Sequence, residues 1–102
     1  MTYPLAYSTW GKEEVEAINR VVDTDMYTMG RHVKQFEKEF AETFESPNAV
    51  MVNSGSSANL LMLSLLKWKY KLSGDIIVPV VGWATTYFPI SQNGFKLNFV
   101  DV

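Results

Sequence analysis

Cysteine is absent from the 102-residue chain, which excludes disulfide staples, thiolate metal sites and thiol nucleophiles. Histidine occurs once, at His32, too few for a histidine-cluster metal site. Neither sign of charge dominates. Lys and Arg total 9 against 11 Asp and Glu, a net charge of -2, so there is no electrostatic reason to expect nucleic acid. Long hydrophobic runs are missing as well: Leu60–Leu66 is broken by Ser64, and Ile76–Ile90 by Pro79, Gly82, Thr85, Thr86 and Pro89. Neither run is long enough to cross a bilayer. Met1 is followed by TYPLAYSTW, without a basic n-region or an apolar h-region. The sequence therefore predicts a cytoplasmic protein with no membrane partner.

What is present has the balance of a soluble globular domain, 47% hydrophobic and 20% charged. Lys12–Thr24 places Val15, Ile18, Val21 and Val22 on one face and Glu13, Glu14, Glu16, Asn19 and Arg20 on the other, which predicts a helix capped by Thr9 or Gly11. Arg31–Phe44 repeats the pattern with Val33, Phe36, Phe40 and Phe44, and the Glu45–Asn48 stretch with its proline ends it. The period then changes. Ala49–Val52 is a short continuous apolar run, the signature of a strand buried on both faces. The loop Asn53–Ser57 leads into a leucine-rich helix over Ala58–Tyr70 that stops at Ser73-Gly74-Asp75. Ile76–Val78 predicts a second strand, Ala84–Gln92 a short helix, and Lys96–Val102 a third strand after the Asn93-Gly94 turn.

Strand–helix–strand–helix–strand is the repeat of a parallel α/β sheet with right-handed crossovers, here preceded by two helices. Three such strands ending at FVDV would leave two bare edges and a poorly covered face. Residues 1–102 therefore read as the front part of a larger domain.

Ligands gather at the carboxyl edge of such a sheet. That edge nominates Asn53–Ser57, Pro79–Trp83 and Asp101. Gly55 lets the backbone approach a ligand or adopt positive φ, and Ser56 and Ser57 bring hydroxyls and amides to a helix N-terminus, which attracts phosphate. Serines also cap helices and glycines also make turns, so this pattern alone fits either a cap or an anion cradle. It is neither a Walker loop nor GxGxxG, which speaks against ATP and NAD. Trp83 would project over the same crevice and could stack on a flat ring, or it could belong to the core. Lys12, Lys34, Lys38, Lys67, Lys69, Lys71, Lys96 and His32 read as solvated surface.

Four stretches in order carry a resemblance: GKEEVEAINRVVDT, MGRHVKQFEKEFAETF, AVMVNSGSSANLLMLSLL and DIIVPVVGWATTYFPISQNGFKLNFVDV. Together they resemble the N-terminal part of the DegT/StrS family of pyridoxal-phosphate-dependent aminotransferases, and related dehydrases, acting on nucleotide-linked sugars. The resemblance implies the N-terminal portion of a fold-type-I transferase large domain over residues 1–102, with pyridoxal 5′-phosphate as cofactor. It implies that Gly55, Ser56 and Ser57 hold the cofactor phosphate and that Trp83 stacks on the pyridine ring. Asn53, Ser56 and Asn59 depart from the usual serine, threonine and alanine, and Ser56 keeps the hydroxyl. Thr28-Met29-Gly30 resembles a turn on the family's substrate side.

The family's Schiff-base lysine and its pyridinium-binding aspartate lie downstream, so no catalytic residue and no metal ligand is assigned here, and Asp101 is given no role. Alone, the phosphate cradle and ring stack fall short of tight cofactor binding. The expected activity of the whole protein is amination of a keto sugar nucleotide, with glutamate as donor and a homodimer as the working state. The alternatives are a dehydrase of the same family, some members of which replace the lysine with histidine, or a non-catalytic α/β module that binds a partner chain. A Rossmann-like nucleotide-binding domain is disfavoured because the glycine fingerprint is absent.

Overall fold

Gly11 caps α1 (Lys12–Val22) without a side chain, so Glu14 reaches back instead and its Oε2 accepts from Gly11 N at 2.7 Å. That bond, with a second from the backbone of Glu14 itself, holds the Glu14 carboxyl below the usual carboxylate range. The bond therefore persists above the unfolded pKa of Glu14 and is lost as pH falls through the lower folded value. In an acid NMR titration, the Gly11 amide proton should shift together with Glu14, completing its change below the ordinary glutamate range. A Gly11 shift that ignores Glu14 would remove this cap.

The computed structural model describes residues 3–4 and 6–102, which divide into two compact units at Met51/Val52. In the first, α2 (Arg31–Thr43) follows the Gly30 N-cap. The helix closes with Glu45 in the left-handed region (φ 50°), Glu45 N donating to Glu42 O at 3.3 Å and Ser46 N to Ala41 O at 2.9 Å. This paired C-cap stops the helix just before Pro47. Phe36, Phe40 and Phe44 form a ladder with centroid spacings of 5.7 and 4.5 Å. All three rings are exposed, and Ala41 is the buried apolar residue among the described residues of this unit.

In the second unit, α3 (Gly55–Trp68) precedes a parallel β–α–β: β1 (Asp75–Pro79), α4 (Ala84–Gln92) and β2 (Lys96–Val100). The strands pair in register from Asp75 with Lys96 to Pro79 with Val100. Val78, Ile90 and Phe95 form the buried core, with Leu63, Ile76, Tyr87 and Leu97 packed against it. The α4–β2 turn works because Gly94 takes φ 71°. Gly94 N then donates to Ser91 O at 3.0 Å and Phe95 N to Ile90 O at 3.1 Å, which carries the Phe95 ring into the core.

The α/β class and the parallel sheet are as expected, but among the described residues the sheet has two strands rather than three. Ala49–Val52 is not a strand. A continuous apolar run signals burial on both faces without supplying a neighbour. Among the described residues no strand pairs with it, and Met51 N donates instead to Glu37 Oε1 at 2.8 Å. Val50 and Met51 stay exposed. Among the described residues no helix is long and apolar enough to cross a membrane.

Candidate functional site

The N-terminus of α3 lies three residues earlier than its leucine periodicity predicts. Ser54 is the N-cap, and its Oγ accepts from Ser57 N at 3.2 Å. Gly55, Ser56 and Ser57 are therefore the first helical turn and not a preceding loop, and Gly55 is not among the positive-φ glycines. An extended Ser54 makes the turn, so Gly55 needs no left-handed backbone. Ser57 is also not free, because its hydroxyl donates to Asn53 Oδ1 at 2.7 Å and lies 3.2 Å from Ser54 Oγ.

What remains for a ligand is narrower and better defined: the amides of Gly55 and Ser56 and the Ser56 hydroxyl have no protein partner among the described residues. They sit where the helix dipole favours an anion. A Cβ at Gly55 would meet nothing within 4 Å, so the outer side of the turn is open. Ser56 and Ser57 border a hollow of about 200 Å³ that Leu60, Thr85, Phe88 and Gln92 also line.

The far wall of this hollow is α4, which carries a proline in its interior. Pro89 lies inside the helix and has no N–H, so the carbonyl of Thr85 four residues earlier loses its helical donor. Asn59 Nδ2 supplies a replacement at 3.4 Å, tying α3 to α4 near their N-termini. A second tie joins the other ends: Ser64 Oγ donates to Asn93 Oδ1 at 3.0 Å, and the buried Asn93 Nδ2 donates to Pro89 O at 2.8 Å. Asn93 thus has both ends of its amide paired.

Trp83 is the N-cap of α4 and is 79% exposed. It belongs to the loop at the carboxyl end of β1 and is not core. It is not among the residues around the Ser56–Ser57 hollow. The structure thus brings Gly55, Ser56 and Ser57 together and leaves the indole free in solvent beside α4. Asp101 follows β2, is exposed, and accepts from Val102 N at 2.9 Å.

Thr28, Met29 and Gly30 border a separate, larger hollow of about 690 Å³ within the first unit, together with Met26, Tyr27 and Arg31. His32 is exposed, as are all the lysines except Lys67. That residue is half-buried and places its ammonium 5.3 Å from the Phe95 ring centroid. Tyr87 escaped the sequence reading, and Ser54, Asn59 and Asn93 entered it only as a loop member, a departure from the family pattern and a turn residue, not as the cap and ties they form. For Asn59 a signal was present, since a proline at 89 frees the carbonyl at 85, but the partner lies on another helix.

Comparison with known proteins places this geometry in context. The chain is 52% identical to GDP-4-keto-6-deoxy-D-mannose 3-dehydratase of Yersinia pseudotuberculosis, over 100% of its own length and 27% of the relative's. It is 35% identical to dTDP-3-amino-3,4,6-trideoxy-alpha-D-glucose transaminase of Streptomyces venezuelae, over 87% of this chain and 23% of that one. A crystal structure of GDP-4-keto-6-deoxymannose-3-dehydratase with a trapped PLP-glutamate geminal diamine matches with a TM-score of 0.86 at 52% identity, covering 99% of this chain and 27% of that chain. The chain thus spans about a quarter of the length of these relatives. A sequence model of the DegT/DnrJ/EryC1/StrS aminotransferase family matches residues 8–102, and the chain belongs to that family.

Proposed function

We propose that this chain is the cofactor-phosphate segment of a pyridoxal-phosphate-dependent 3-dehydratase acting on a GDP-linked 4-keto-6-deoxy sugar, with glutamate as co-substrate. The observation that carries the reading is the 52% identity, along the whole chain, to a dehydratase of that specificity. Amination, the expectation from the family resemblance, has the weaker support, since the transaminase relative stands at 35%. The dehydrase alternative is therefore preferred. A homodimer remains the expected working state of the full-length protein.

The donor set fits the cofactor's phosphate. Two amides and one hydroxyl at the start of α3 are unpartnered among the described residues; Gly55 faces open space, and Ser56 borders a hollow with room for a phosphate. Ser56 would donate through its amide and hydroxyl, and Gly55 through its amide. Ser54 and Asn53 act one step back by holding Ser57, which keeps the turn rigid before any ligand arrives. The exposed Trp83 indole would lie against the ring and exclude water from that face. Bound pyridoxal phosphate supplies the electron sink for the elimination. The residues of this chain bind and orient it.

The test uses the full-length protein with pyridoxal phosphate, glutamate and GDP-4-keto-6-deoxymannose. The expected product lacks the C3 hydroxyl and carries no new nitrogen. A product that has gained an amino group would replace dehydration with aminotransfer. Within the site, Trp83→Ala should raise the Kd for pyridoxal phosphate about 2- to 12-fold, the equivalent of about 0.5–1.5 kcal/mol of stacking. Its melting temperature should not move, because the indole is solvent-exposed. Unchanged affinity would remove Trp83 from the site.

A further inference from the structure

One side chain holds the β1–α4 loop from three directions. Tyr87 Oη donates to Pro79 O at 2.8 Å. Its ring meets Phe99 edge-on, with centroids 5.4 Å apart and planes at 75°, and it packs against the Val78–Ile90–Phe95 core. The same hydroxyl lies so near Gly82 that a Cβ added there would come within 2.5 Å of it. Position 82 is thus bare where the phenol passes.

The loop Val80–Trp83 is fixed at its start as well, since Val80 N donates to Val100 O at 2.8 Å. At its end, Trp83 O accepts from Thr86 N at 2.9 Å. The indole itself makes no hydrogen bond among the described residues and is 79% exposed, so its placement follows from how the loop backbone is held.

We propose that Tyr87 is the positioning residue for Trp83: its phenol, wedged between the Pro79 carbonyl and the bare Cα of Gly82, fixes the loop that presents the indole to the flat ring of the cofactor. The proposal rests on the reading of Trp83 given above and adds a residue that touches neither the cofactor nor the substrate. Tyr87→Phe removes only the hydroxyl bond and keeps the ring on Phe99. Gly82→Ala reaches the same bond from the other side by displacing the hydroxyl.

The experiment titrates full-length protein with pyridoxal phosphate and records both the Kd and the visible circular dichroism of the bound cofactor, which reports how its ring is held. Losing one neutral hydrogen bond should raise the Kd about 2- to 10-fold in Tyr87→Phe. The dichroic band should weaken, and Gly82→Ala should reproduce both changes. In a Trp83→Ala background, Tyr87→Phe should have no further effect, because its influence runs through the indole.

Wild-type affinity and dichroism in Tyr87→Phe would overturn the proposal, and so would an effect that adds in full to that of Trp83→Ala. A wild-type protein that binds no pyridoxal phosphate would instead sink the cofactor reading itself. That outcome is distinct, because it appears before any substitution is made.

Discussion

Ile90→Ala should destabilise the second unit by about 2–5 kcal/mol, the range for emptying a buried aliphatic site. Ile90 is 3% exposed and belongs to a core of only three buried residues, with Val78 and Phe95. Truncation removes contacts to both at once, and the surroundings have little to collapse onto the gap. Because whole domains are stable by only about 5–15 kcal/mol, the loss should show as a large drop in urea midpoint. Amides in the β1–β2 ladder should also exchange faster, Val80 among them. Ile77 is the control: it lies on the same sheet at 69% exposure, and Ile77→Ala should stay within about 0.5 kcal/mol of wild type. If the two variants melt together, the core has been misplaced.

Ser56→Ala should raise the Kd for pyridoxal phosphate about 10- to 150-fold, the equivalent of about 1.5–3 kcal/mol for a hydrogen bond to a charged group. Ser56 has a hydroxyl with no partner among the described residues, in contrast to its neighbour. The Ser57 hydroxyl is already committed to Asn53 at 2.7 Å. Ser57→Ala should therefore loosen the turn by about 0.5–1.5 kcal/mol and affect the cofactor only through that loosening. Pyridoxal, which lacks the phosphate, separates the two effects. Ser56→Ala should bind pyridoxal as wild type does while binding the phosphate ester poorly. Equal losses for both ligands would show that Ser56 acts on the ring or on the fold and not on the dianion.

The helices with a one-sided apolar stripe, α1 and α2, were legible from spacing and lie within two residues of their expected bounds, and α4 falls on the expected Ala84–Gln92. The paired strands were legible too, since Ile76–Val78 and Lys96–Val102 fall on β1 and β2. Ala49–Val52 failed because burial on both faces is a property of a residue's surroundings and a strand is a property of its neighbour. The composition of four residues fixes neither: Val50 and Met51 stay exposed and, among the described residues, no strand pairs with the run. The start of α3 was misjudged because the leucine stripe begins at Leu60, while the helix is set by a serine cap six residues earlier.

Within the proposed site, the residue types at 55–57 pointed to a helix N-terminus, and Gly55, Ser56 and Ser57 form the first turn of α3. The division of labour between Ser56 and Ser57 was invisible, because it depends on which hydroxyl reaches Asn53. Tyr87 and Asn59 act through contacts between separate elements, with Pro79 and Thr85. Periodicity carries no trace of such contacts.

The parallel pairing of β1 with β2 requires only the helix that joins them. This crossover closes within one short stretch of chain, so its loop-closure entropy is small. During synthesis the segment from Asp75 onward can therefore assemble soon after Val100 clears the ribosome. The loop Val80–Trp83, held by Val80 N on Val100 O and by Tyr87 Oη on Pro79 O, is then set as soon as the two strands pair.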